Sequence, residues 1–137
     1  MTDAASVVRA RLLSLAAVTA LVGQRVYTQH LPQSPVLPAV LVERVGDVRY
    51  GHLRGGERLT MTRVQVTSIA TSRAAAVALE AAVDGDDAGS GLAHWRGAVG
   101  SPSIDVLWCE PQDVREDYTA GELRQYRISR DYRVFHR

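Results

Sequence analysis

The residues of this chain that could do chemistry are few, and their spacing works against most chemistries. Its histidines, His30, His52, His94 and His136, are scattered, and no two share a helix or strand face at ligand spacing. Each reads as a surface or hydrogen-bonded imidazole. Cys109 is the only cysteine; within the apolar run "IDVLWCE" it reads as a buried, protonated thiol, not a nucleophile. The acidic loop "DGDDAGSG" (84–91) invites a calcium reading. With Asp84 in position one, Asp86 and Gly89 fall correctly, but Ala88 takes a ligand position and Trp95 stands where the bidentate glutamate is needed. It reads as a solvated loop. No G-x-S-x-G, phosphate-cradling glycine loop or H-E-x-x-H occurs. No catalytic, cofactor-binding or metal-binding residue is therefore expected, and no enzyme.

Two side-chain groups remain. Tyr118, Tyr126 and Tyr132 could stack on bases, but two of them lie on the apolar face of an alternating strand, where a core role is the commoner one. Arg124, Arg127, Arg130, Arg133 and Arg137 could meet phosphates. With Glu116, Asp117, Glu122 and Asp131 close by, they read as ion-pair partners within the fold or across a subunit contact.

The elements that must position these groups follow from periodicity. Residues 3–22 read as one helix, with Asp3 as N-cap, a stripe of Val8, Leu12, Leu15 and Val22, and Gly23 as the left-handed stop. "QRVYTQ" (24–29) is a short extended segment. "LPQSPVLPAVLV" (31–42) spaces three prolines by three residues, either as a P-x-x-P ligand or as a rigid lead-in to the strand at 39–45. "GHLRGGERL" (51–59) suits an exposed hairpin tip. Residues 58–70 alternate as a strand, Val64, Val66 and Ser68 against Arg63, Gln65 and Thr67. Thr71 or Ser72 then caps a second helix, whose small-residue stripe Ala74, Val77, Ala78 and Ala81 is expected to press on the sheet. Strands are expected near 92–99 and 103–109, with Gly100, Ser101 and Pro102 turning between them. A last strand carries Tyr126, Ile128, Tyr132 and Val134 on one face and Arg127, Ser129, Asp131 and Arg133 on the other. The order implies a single α+β domain over 1–137: a mixed, mostly antiparallel sheet with two helices packed on one face.

The totals agree with one globular domain. The chain has 137 residues, 46% hydrophobic and 23% charged, a length and balance that build one core. Sixteen basic residues, all arginine, face fifteen acidic ones, so no global pull toward nucleic acid or membrane is implied. The acidic start and Arg9 and Arg11 argue against a signal peptide, and no run reaches transmembrane length. A soluble cytoplasmic protein is expected.

The ordered set of elements resembles a family, the tail completion or tail terminator proteins of long-tailed phages and related tail-like particles. The matching segments are "VTALVGQRVY" (18–27), "LPQSPVLPAVLV", the strand-to-helix passage "TRVQVTSIATSRAAAVALEAAV" (62–83) and "YRISRDYRV" (126–134). The resemblance implies a non-enzymatic virion protein that forms a homohexameric ring at the head-proximal end of the tail tube, assembled in the host cytoplasm. Its implied partners are the tail tube protein and a head–tail connector or stopper, with double-stranded DNA passing the lumen unbound and no membrane involved. It favours the rigid lead-in over the P-x-x-P ligand. Another neck component, a head-completion or stopper protein, stays open as an alternative, as does a small stand-alone ligand-binding domain. For a ring, the assembly contacts expected are His52, Arg54, Glu57 and Arg58 on the hairpin tip and Arg127 and Arg133 on the last strand. A lumen that lets DNA pass should be neutral or acidic on balance.

Overall fold

The computed structural model describes residues 3–51, 59–99, 104–119 and 124–137. In chain order these form α1 (Ala4–Leu13), α2 (Ala16–Val22), β1 (Val26–Thr28), β2 (Ala39–Tyr50), β3 (Leu59–Ala70), α3 (Arg73–Asp84), β4 (Gly97–Val99), β5 (Ile104–Thr119) and β6 (Gln125–His136). The strands make one six-stranded sheet in the order β1-β2-β3-β6-β5-β4. Only β1 and β2 run parallel; the other pairings are antiparallel. The α+β, single-domain expectation holds.

The N-terminal segment is two helices, not one. Asp3 caps α1 as expected, its Oδ1 accepting from Ser6 N–H at 2.8 Å. The helix then breaks at Ser14, whose Oγ donates to Arg11 O at 2.6 Å, a local bond that competes with the helical ladder. Leu15 is extended (φ −91°, ψ 115°), and α2 leaves at 86° to α1. The turn lets Val8 and Leu12 of α1 and Val18 and Val22 of α2 reach the same core. A straight helix of that length would carry one group past the sheet.

β2 starts at Ala39, directly after Pro38, so the proline-spaced stretch does lead into a strand. Residues 29–38 are the crossover that a parallel β1–β2 pair needs, and the Leu37–Pro38 bond within them is cis. Beyond the core, β2 continues to Tyr50 as an exposed strand. β3 alternates as read from Arg63 to Val66, with Val64 and Val66 buried and Arg63 exposed, but Thr67 is buried along with Ser68, so the alternation in burial ends there.

Of the two caps expected for α3, Thr71 or Ser72, Ser72 is the one used: its Oγ accepts from Ala75 N–H at 3.2 Å. The stripe is wrong. Ala74, Val77, Ala78 and Ala81 are exposed, and Ala76, Leu79 and Val83 are buried. Both sets obey the same period, so periodicity gives no phase. Size decides: Leu79 and Val83 bury far more apolar area than alanines do, and the helix rotates to put them on the sheet.

After α3 the chain folds tightly. Gly85 (φ +73°) and Gly91 lie back to back, and a Cβ on Gly91 would stand 2.6 Å from Asp84 carbonyl atoms and Gly85 N. This close approach brings Leu92, Ala93 and Trp95 into buried positions. The strand expected over 92–99 is therefore only Gly97–Val99, preceded by a buried turn. The strand expected over 103–109 is longer, continuing through Pro111 to Thr119 with bulges at Val106/Trp108 and Pro111/Val114. Pro111 stands at the second bulge, where an edge strand tolerates proline.

All three helices pack on one face of the sheet. Val8, Leu12, Val18, Val22, Leu79 and Val83 share a single core with Val40, Val42, Val64, Val66, Tyr132 and Val134. Among the described residues the opposite face carries no helix.

Candidate assembly surface

The helix-free face is built by rows of cross-strand neighbours, whose side chains point to the same side. One row aligns Glu43, Gln65 and Asp131. The next aligns Arg63, Arg133 and Glu110. Further down, Thr67, Ser129 and Arg115 share a row, as do Ile69, Arg127 and Asp117. The face thus sets Arg63, Arg115, Arg127 and Arg133 against Glu43, Glu110, Asp117 and Asp131, and its charges balance.

At its centre Asp131, only 3% exposed, is held between two arginines. Arg63 Nη2 donates to its Oδ2 at 2.8 Å, and Arg115 Nη2 donates to its Oδ1 at 3.2 Å. Arg115 also reaches Gln65 Oε1 at 3.2 Å, and the Thr67 and Ser129 hydroxyls lie 3.0 Å apart. Three strands that are far apart in sequence are cross-tied there, which makes the centre of the face rigid and hydrophilic, between rows that carry Leu41 and Ile69 on one side and Met61, Phe135 and Trp108 on the other.

The expected contacts Arg127 and Arg133 both lie on this face. Arg127 donates twice to Gln125 Oε1, at 2.8 and 3.2 Å, and Arg133 is exposed beside Arg63 and Glu110. His52, Arg54, Glu57 and Arg58 lie outside the described residues. Sequence reasoning missed Arg63 and Arg115. Both stood at polar positions, but nothing local indicates that their strands flank β6.

The other groups singled out by chemistry are absorbed by packing. Arg130 points to the helix face, where its Nε donates to Glu80 Oε1 at 2.8 Å and its Nη1 to Gln112 O at 3.2 Å. Tyr132 is buried, and its hydroxyl donates to Asp84 Oδ1 at 2.7 Å. Burial, then that bond to Asp84, pushes the phenol pKa up. Cys109 is fully buried, and burial with the Asp84 charge pushes its thiol up to about 12, so the protonated-thiol reading holds. Tyr126 is half-buried, while Tyr118 is exposed beside it with ring centroids 5.8 Å apart. His136 Nε2 lies 2.8 Å from Thr62 Oγ1, which donates to Asp47 Oδ1 at 2.7 Å. Arg11 and Arg96 stack on Trp95 and Trp108 around a wide, open depression of about 430 Å³ that also includes His94 and Asp87. Among the described residues no group of three or more His, Cys, Asp or Glu could hold a metal ion, and no single helix is long and apolar enough to cross a membrane.

The family model described as "Tail completion protein gp17" matches residues 6–136. The chain belongs to that family. As a tail completion protein it is a structural component of a phage-type tail, and the resemblance read from "LPQSPVLPAVLV" and its companion segments is confirmed. Among solved structures, a chain of the "Virion of native gene transfer agent (GTA) particle" shares its fold. The TM-score is 0.59 at 20% identity, covering 97% of this chain and 93% of that one. No curated protein matches by sequence.

Proposed function

We propose that this tail completion protein caps the head-proximal end of a tail tube as a homohexameric ring, ending tube growth and presenting the surface that joins tail to head. The observation that carries this reading is the family match across almost the whole chain, residues 6–136. The fold is consistent with it. The Tyr50/Leu59 and Thr119/Gln125 strand ends lie at opposite ends of the sheet, so one protomer offers two separated ends to two different partners. One end would meet the tube protein and the other a connector or stopper. The helix-free face suits a lumen, because its arginines are matched one for one by carboxylates. A balanced wall gives the phosphate backbone nothing to exchange its counterions for, and DNA passes.

The test is a deletion in a phage or tail-like particle that carries this gene. Loss of a terminator leaves overlong or unattached tails. Finished tails beside leaking heads would identify a stopper instead. Counting subunits in the assembled neck checks the ring directly, and a symmetry other than six-fold, or a lumen lined mainly by arginine, would sink the proposal.

A further inference from the structure

We infer that the joint between subunits is a strand pairing: the outer edge of β2 from Arg44 to Tyr50 pairs, antiparallel, with the outer edge of β5 from Glu110 to Thr119 in the next copy of the chain. One sheet then runs from subunit to subunit. The inference rests on the ring reading and adds which surfaces close it.

The sheet leaves two long strands uncovered at diagonally opposite corners. β1 pairs with β2 only from Val40 to Val42, and Gln29 Oε1 accepts from Arg44 N–H at 2.7 Å just beyond. β4 pairs with β5 only from Ile104 to Val106, and His94 N–H donates to Cys109 O at 2.8 Å. Past these points no strand lies on the outer side of either element among the described residues. Open edges of this length recruit other strands unless they are blunted.

Here the blunting is partial, with charges, Pro111 and a bulge on each strand, and large apolar side chains remain exposed between them. Of the eight large hydrophobic side chains exposed among the described residues, five sit on these two segments: Val45, Val48 and Tyr50 on β2, and Val114 and Tyr118 on β5. The charges of the two edges are opposite in sign. The β2 segment has two arginines against Asp47, and the β5 segment has four acidic residues against Arg115.

Direction and stagger identify the partner as a second copy and not a foreign peptide. β2, β3, β6 and β5 alternate up and down, so β5 beside the next β2 continues the antiparallel pattern. The middle of the open β2 edge, Asp47, is level with Val134 of β6, and the middle of the open β5 edge, Arg115, is level with Ser129. Asp47 faces the helix side and Arg115 the helix-free side, and paired residues must face the same way, so joining the edges shifts each subunit by about four or six residues of β6 over four strands. At about 3.3 Å per residue and about 4.8 Å per strand, that is a strand tilt of about 35–46°, close to the range that closed barrels use. The bulges at Arg44/Gly46 and Pro111/Val114 add the twist and curvature that closure needs.

The test uses two doubly substituted full-length chains, V48K/Y50K and V114K/Y118K. All four positions are exposed, so each chain should keep the wild-type circular dichroism spectrum and, at concentrations where wild type is dissociated, its melting temperature. By analytical ultracentrifugation each should associate at least about a hundredfold more weakly than wild type, since lysine is the common natural edge blocker. A head-to-tail joint makes a sharper demand. Each variant keeps one intact edge, so their mixture should form a heterodimer and nothing larger. Hydrogen exchange on wild-type rings should show the outward-facing amides of 45–50 and 112–119 protected relative to the variant monomers. Rings from either variant alone, a mixture that stays monomeric, or unprotected edge amides in the ring would overturn the joint while leaving the ring reading intact. A single copy per neck would sink both.

Discussion

Ala78→Leu and Leu79→Ala together test which face of α3 packs. Leu79 is fully buried in the main core, whereas its neighbour Ala78 is exposed. Leu79→Ala removes three carbons, worth about 2.4 kcal/mol at ~0.8 each, and a residual cavity raises the cost to about 3 kcal/mol. For a domain of 137 residues, the unfolding entropy is about 0.3 kcal/mol/K. The melting temperature should therefore fall by about 10 °C. Ala78→Leu adds its carbons to solvent and should change protomer stability by no more than about 0.5 kcal/mol. Thermal unfolding followed by circular dichroism at several low concentrations reads both, because a melting temperature that rises with concentration would report assembly instead. If Ala78→Leu cost more than about 1 kcal/mol, or Leu79→Ala were neutral, the helix would be rotated from the position described.

Three further outcomes are expected. Gly91→Ala forces a Cβ to 2.6 Å from the Asp84 carbonyl and should cost about 1–3 kcal/mol, the range for overpacked contacts; a wild-type melting temperature would mean the loop has room to open. Burial lowers the His136 pKa below its usual value, with Asp47 opposing, so the unfolded chain binds the proton first. Stability should be intact above about pH 6.5 and fall as pH drops toward the folded pKa, and His136→Gln should remove that slope in urea titrations at pH 7 and pH 5. Replacing "HLRGGE" (52–57) by a short turn should leave the protomer folded and impair joining of tails to heads, since glycines and charges bury little area; normal particle yield would refute a role for the hairpin tip in assembly.

Local physics made much of this protein legible from its residues. Asp3 and Ser72 were readable as caps because a short side-chain acceptor before a helix satisfies free N–H groups wherever it occurs. The alternation of Val64 and Val66 with Arg63 and Gln65 marked β3, and the apolar neighbours of Cys109 marked an inert thiol. The segments from Val18 to Val134, in their order, carried the family. The break at Ser14 was not legible, because a helical period continues across it and only the position of the sheet makes the turn favourable. The phase of α3 was lost for a related reason: two stripes share one period, and the choice depends on what lies beneath. The expected strand ended at Cys109, because the residues from Glu110 to Thr119 are mostly polar and only their pairing with β6 extends β5. The Arg63–Asp131–Arg115 cluster and the two open edges were wholly tertiary. They exist because the sheet places β6 between β3 and β5 and leaves β1 and β4 too short to cover their neighbours. That strand order comes from contacts between residues tens of positions apart, which no local pattern encodes.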